Sequence, residues 1–176
     1  MSSQRDPSAV RFEGDLSHTQ RSSILKFANI ILRGKGLYAK STGSRLEITE
    51  VSFYEREEDK KPQVRMIFEL DVDEDMLNSA NMVHGGCSMF LIDVCSSIAL
   101  VSLGIATNRD TRLVSQAITT VFHAPATTGA KLRIINTTVS FGARTVTART
   151  EIWDTTNRRL VASGVHNQMQ PSAPKL

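Results

Sequence analysis

Cysteine is scarce: Cys87 and Cys95 are the chain's two, and both fall in one apolar stretch. Eight positions apart on a helix, they are separated by roughly 12 Å in rise, beyond disulfide reach. Two free, buried thiols fit a reducing compartment. The sequence also lacks any Lys/Arg run or aromatic-rich basic motif. A formal net charge of +3 is too dilute for a nucleic-acid surface, and no nucleic-acid partner is expected. That charge is compatible with a small polyanionic ligand. The start, MSSQRDPSAVRFEGD, has no apolar core and carries acids early. Neither secretion nor mitochondrial import is indicated, and a cytoplasmic setting is expected, with mitochondria as the alternative. The most apolar run, 89–103, is interrupted by Asp93. It is shorter than the ~20 residues of a membrane span, so it reads as a buried helix. His18, His84, His123 and His166 are scattered and match no metal-ligand spacing, so no metal is expected.

What the chain has is enough apolar residue for one core. It holds 176 residues, 40% hydrophobic and 22% charged, the profile of a single globular domain. Residues 1–16 are polar with Pro and Gly and read as a loose tail; residues 17–176 read as the domain. Ser17 and Thr19 are candidate caps for a helix whose apolar face is Ile24, Phe27, Ala28 and Ile31, ended by Gly34-Lys35-Gly36. Residues 45–56 and 63–71 read as strands around the charged turn EREEDKKP. After a long apolar helix to about Leu103, four further runs read as strands: 112–123, 131–140, 146–153 and 160–169. They are rich in Val, Ile and Thr and separated by short turns. Short connections imply antiparallel pairing. A helix apolar on nearly every side must be wrapped. The expected class is α+β, an antiparallel sheet of about six strands around one long central helix.

The stretch NMVHGGCSMFLIDVCSSIAL (residues 81–100) raises a sharper question. Asp93 is the one Asp, Glu, Lys or Arg between Asp75 and Arg109. An unpartnered buried carboxylate is costly. The first N–H groups of a helix have no internal acceptor and sit at its positive end. Gly85-Gly86 lets a ligand approach them closely, which makes an oxyanion or carbonyl site. Alternatively, the glycines only relieve crowding under a strand, and Asp93 is satisfied by Ser96 or Ser97.

Asn78, His84-Gly85-Gly86 and Asp93, followed by the strand Val114-Ser115 through Ile118-Thr119 to the Phe122–Ala126 segment, resemble the hotdog-fold acyl-CoA thioesterases. The phenylacetate-pathway type and the mammalian thioesterase superfamily member type are the similar ones. The resemblance runs from about Met76 to Gln168. It implies that the Gly85 N–H polarises a thioester carbonyl and that Asp93 is general base or nucleophile. It further implies that Asn78 positions water or thioester, that His84 shapes the helix start, and that Ser115 assists Asp93. Substrate contacts are implied for Gly86, Phe122, His123, Ala124, Pro125, Ser140, Gly142 and Arg144. Lys131, Arg158 and Arg159 are weaker candidates. Coenzyme A is part of the substrate, so no separate cofactor is implied. Two positions depart from the family pattern. Asn81 stands where the family often has Gly, and Asn tolerates the left-handed backbone. Gln116-Ala117 replaces a motif that often carries an acid.

Gly85 and Asp93 are about 12 Å apart along one helix. One carbon cannot contact both in one chain, so if both act on it, as the resemblance implies, Asp93 must come from a second, antiparallel subunit. The family builds its sites across such a homodimer, usually within a tetramer of two dimers. The activity so implied is hydrolysis of a medium- or long-chain fatty acyl-CoA or an aryl-acetyl-CoA to free acid and CoA. The alternatives are a non-catalytic acyl-CoA binder of the same fold and a hotdog dehydratase or hydratase.

Overall fold

A computed structural model of the chain describes residues 10–35 and 38–171. Of the segments named above, residues 1–9 of the tail, Gly36 and residues 172–176 lie outside that range. The first helix, α1 (His18–Arg33), starts at a capping box. The Gln20 N–H donates to the Ser17 hydroxyl at 3.2 Å, and the Ser17 N–H donates to the Gln20 side chain at 3.0 Å. The pair satisfies the Gln20 donor that a helix start leaves open and ties the Ser17 N–H in the same loop. Ile24 and Ala28 are buried as their spacing predicts, and Leu32 joins them. Phe27 and Ile31 pack half-buried at the edge of this face. Gly34 is the C-cap. A six-residue helix, α2 (Lys40–Arg45), follows; its polar sequence carries no apolar period to announce it.

The remaining elements are β1 (Arg11–Glu13), β2 (Glu47–Glu55), β3 (Pro62–Asp71), α3 (Gly85–Ala106), β4 (Val114–Phe122), β5 (Lys131–Phe141), β6 (Thr145–Asp154) and β7 (Arg159–Met169). One sheet holds seven strands in the order β1-β2-β3-β5-β6-β7-β4. Six of them match the six expected runs and pair antiparallel. The seventh corrects the strand count and part of the expected tail. Arg11–Glu13 lies parallel to Glu50–Ser52, and Leu16 is buried. The reason is electrostatic. Glu50 is buried on β2, and both Arg11 and Arg65 hydrogen-bond its carboxylate. A three-residue strand too short to be read from apolar alternation is held by that pairing.

Helix α3 lies in the palm of the sheet. Leu91, Ile92, Cys95, Ile98, Ala99, Leu100 and Leu103 are all fully buried. By length and composition α3 could cross a membrane, but here 61% of its most apolar window is buried within the chain. Its buried hydroxyls turn back on the helix: Ser96 donates to the Ile92 carbonyl at 2.6 Å and Ser102 to the Ile98 carbonyl at 2.7 Å. At its far end the Gln20 amide donates to the Ala106 carbonyl at 3.1 Å, joining α1 to α3.

Two tests follow. Burial raises the Glu50 pKa, but hydrogen bonds from Arg11 and Ser52 and the charges of Arg65 and Arg11 outweigh it, so the net shift is downward. A depressed carboxylate contributes stability that is present above its unfolded pKa of about 4.3 and lost as pH falls through the folded value. Glu50→Gln should therefore be less stable than wild type in urea at pH 7, and the gap should shrink steadily below about pH 4.5. Burial pushes the half-buried Cys87 thiol up to about 11, reinforced by Asp75 and opposed by Arg45. At pH 8 its thiolate is rare, so iodoacetamide should label native Cys87 at least ~20-fold more slowly than a free cysteine, read by mass spectrometry.

Candidate active site

The helix start is built by a turn that precedes it. The Asn78 side-chain oxygen accepts from the Ala80 N–H at 2.9 Å and the Met82 N–H at 3.2 Å. Its amide nitrogen has no acceptor among the described residues. Asn81 sits at φ +59°, the left-handed conformation that its replacement of Gly requires. The Val83 N–H donates to the Ala126 carbonyl and the His84 N–H to the Met76 carbonyl, both at 2.8 Å. These bonds dock the turn against the segment after β4 and aim the chain into α3.

His84 is the N-cap of α3, and its Nδ1 accepts from the Gly86 N–H at 2.9 Å. Gly86 therefore offers no free donor. Among the described residues nothing accepts from the Gly85 N–H. It stands unpaired at the positive end of a 22-residue helix, the condition under which an anion or a polarised carbonyl is bound. Crowding under a strand applies to Gly85 alone, since Gly86 would meet the cap residue of its own helix. A Cβ on Gly85 would lie 3.2 Å from Cζ of the Phe122 ring, and one on Gly86 3.0 Å from His84 Nδ1.

Asp93 is not in a dry core. Its side chain is 45% exposed. Ser96 and Ser97 do not satisfy its carboxylate, because both hydroxyls reach its backbone carbonyl instead, at 3.2 and 2.7 Å. The carboxylate faces β4 and β7. Ser115 Oγ lies 3.4 Å from Asp93 Oδ1 and 3.0 Å from Nε2 of His166. His166 is fully buried, with Nδ1 2.7 Å from Ser96 Oγ and Nε2 3.7 Å from Asp93 Oδ1. Burial lowers the pKa of the ring, opposed by the Asp93 charge. Gln168 completes the group, donating to Ser97 Oγ at 2.7 Å.

A β-bulge makes this cluster. By strict alternation Ser115 shares a face with Ala117, Thr119 and Val121, away from α3. The β4–β7 register shifts between Ser115 and Ala117, so that Ser115 pairs with Gln168 and Ile118 with His166. The extra residue turns Ser115 onto the helix face. His166 and Gln168 are the members that sequence reasoning missed. The signal for His166 was its inward parity with Gly164 and Gln168 on β7. That parity acquires meaning only once the bulge places Ser115 opposite.

The expected substrate contacts divide between the two ends of α3. Phe122, His123, Ala124 and Pro125 lie at the Gly85 end, tied by the Ala126 carbonyl and by a 2.9 Å contact of His123 Nε2 with Ser163 Oγ. Ser140, Gly142 and Arg144 lie at the other end. There Arg109 stacks on the Phe141 ring at 4.4 Å and donates to the Phe141 and Gly142 carbonyls, both at 2.5 Å. Ser140 and Gly142 line a cleft of about 320 Å³ with Arg56, Gln63, Leu103 and Arg109. That cleft is remote from Gly85 and Asp93. One chain thus brings together Asn78, His84, Gly85 and the Phe122–Pro125 segment, and separately Asp93 and Ser115. It does not bring these two groups onto one another, nor either onto Ser140–Arg144. Among the described residues no group of three His, Cys, Asp or Glu is placed to hold a metal.

The thioesterase superfamily model matches residues 80–161. A comparison with curated proteins returns no match. Solved structures share the fold. Zebra fish thioesterase superfamily member 2 aligns with TM-score 0.67 at 17% identity, over 89% of this chain and 100% of that one. Escherichia coli PaaI, from the phenylacetic acid degradation operon, aligns with TM-score 0.66 at 20% identity, over 90% and 98%. A Streptococcus mutans protein solved with acetyl CoA bound aligns with TM-score 0.55 at 20% identity, over 63% and 84%. Over residues 80–161 the chain is similar to the thioesterase superfamily, and its fold is the hotdog fold.

Proposed function

We propose that the protein is a homodimeric acyl-CoA thioesterase that hydrolyses a fatty acyl or aryl-acetyl thioester to the free acid and CoA. The observation that carries this reading is the unpaired Gly85 N–H at the start of α3. In it, the thioester oxygen lies against that N–H and the free amide nitrogen of Asn78. Charge developing on the oxygen is then met by fixed donors and the helix dipole. Asp93 of the second subunit acts on the same carbon, as base towards water or as nucleophile, and the CoA thiol leaves. Phe122, Met89 and Phe90 supply apolar walls near the helix start. The acetyl CoA bound by the Streptococcus mutans protein supports CoA as the carrier.

A second subunit has a place to join. β4 ends the sheet, and its nine residues, VSQAITTVF, include no charge and no proline. Val114, Val121 and Phe122 are exposed along it. A long, uncharged, unprotected edge is a template for pairing with another chain. Antiparallel pairing there sets two α3 helices side by side with opposite directions, which brings one Gly85 towards the other chain's Asp93.

Acyl-CoA esters from acetyl to palmitoyl, together with phenylacetyl-CoA, test the activity. Wild type should hydrolyse at least one, and Asp93→Asn should lose at least ~100-fold in kcat. Binding in both proteins with no turnover in either leaves an acyl-CoA-binding protein. Sedimentation velocity tests the assembly. Wild type should run as a dimer or a dimer of dimers, and Val121→Glu, a charge on the β4 edge, should shift it to monomer and abolish turnover together.

A further inference from the structure

His166 has no part in the reading above, yet it is fully buried beside Asp93. Its hydrogen bonds fix where its proton sits. The Ser96 hydroxyl has one proton, and its neighbours at 2.6 and 3.2 Å are the carbonyls of Ile92 and Asp93, which can only accept. Ser96 therefore turns a lone pair towards His166 Nδ1 at 2.7 Å, so Nδ1 carries the hydrogen. In the neutral ring Nε2 is then a bare acceptor. The Ser115 hydroxyl, 3.0 Å away, donates to it. Having given its proton to the ring, Ser115 presents a lone pair on the side of Asp93. The 3.4 Å between Ser115 Oγ and Asp93 Oδ1 is long for an O–H···O bond. Two acceptors thus lie side by side, facing the opening that exposes Asp93.

We infer that His166 is a positioning residue: by drawing the Ser115 proton to Nε2 it makes Ser115 and Asp93 a pair of acceptors that hold the hydrolytic water by its two hydrogens. The inference rests on the thioesterase reading and chooses between its two roles for Asp93. Water so held turns its oxygen lone pair outwards, towards a thioester carbon seated on the partner subunit. Its oxygen bonds to that carbon, one proton passes to Asp93, the C–S bond breaks, and the proton leaves with the CoA sulfur. Nothing is oxidised or reduced.

The arrangement has a definite acid limb. Protonation of the ring puts a hydrogen on Nε2, which then donates to Ser115 Oγ. The Ser115 proton swings to Asp93 and blocks the base. Asp93 on α3 is the ionisable group acting on the ring; its neighbours across the strands, Ile118 on β4 and Ala148 on β6, are uncharged. Burial dominates, so the ring stays neutral at pH 7, and the loss comes on the acid side of the ordinary value of about 6.5.

The test uses the full chain and whichever acyl-CoA of the panel wild type turns over fastest. His166→Phe should lower kcat at least ~10-fold with KM within about threefold of wild type, the mark of an interaction made in the transition state. Ser115→Ala combined with His166→Phe should be no slower than Ser115→Ala alone within about threefold, because His166 acts through Ser115. His166→Gln, which keeps an acceptor near Nε2 and cannot titrate, should restore most of kcat and flatten the acid limb. Wild-type kcat in His166→Phe, or losses that multiply in the double variant, would overturn the inference. Nitrogen-15 NMR of the wild-type ring decides independently of turnover and of whether a variant folds. A neutral Nδ1–H tautomer at pH 7.5 is expected, and an Nε2–H tautomer overturns the inference while leaving the thioesterase reading untouched. A wild type that hydrolyses no thioester removes the thioesterase reading itself, and the proposed role for His166 goes with it.

Discussion

The burial of α3 is the constraint on which the rest of the structure depends. Its 22 residues are apolar on nearly every side, so water must be excluded from most of its circumference. One sheet does this by curving around it, with α1 closing part of what remains. Such burial leaves two kinds of place where polar chemistry can survive. One is the helix N-terminus, which emerges at the rim. The other is the strip of the helix beside β4, where a single chain runs out of sheet. Gly85 occupies the first and Asp93 the second.

Polar groups elsewhere in the interior show why these two are different. Thr150 donates to the Asn136 side chain at 2.7 Å and Thr138 to Gln63 at 2.8 Å, so those core polar atoms are closed pairs. Ser102 folds onto its own helix. The Gly85 N–H and the Asp93 carboxylate lack such closure. Unpaired polar groups are tolerated where solvent, a ligand or another subunit can reach them. The unpaired edge of β4 runs beside both, so completing the sheet and completing the site are the same event in the proposed dimer.

How legible each part was depended on how far its causes lay apart in the chain. The turn from Asn78 to Gly86 is made of neighbours. An Asn side chain that binds backbone two and four residues on, an Asn able to take positive φ and a His that caps its own helix can all be read locally. The six long strands were legible through apolar alternation and short turns. β1 was not, because its place depends on Glu50, some forty residues away. The pairing of Ser115 with Asp93 came from family resemblance, not from residue pattern. Strict alternation would have put Ser115 on the wrong face.

The sequence by itself determined the fold class, the central helix and the local geometry of its start, because periodicity and capping act within a few residues. It also determined that Gly85 and Asp93 cannot meet within one chain, since a helix has a fixed rise. Only the tertiary structure decided what Asp93 looks at. One extra residue in β4 reverses the facing of Ser115, and the antiparallel register of β7 then delivers His166 beneath it. A bulge arises from the competition between two strands for register, and neither strand's own pattern of side chains records it.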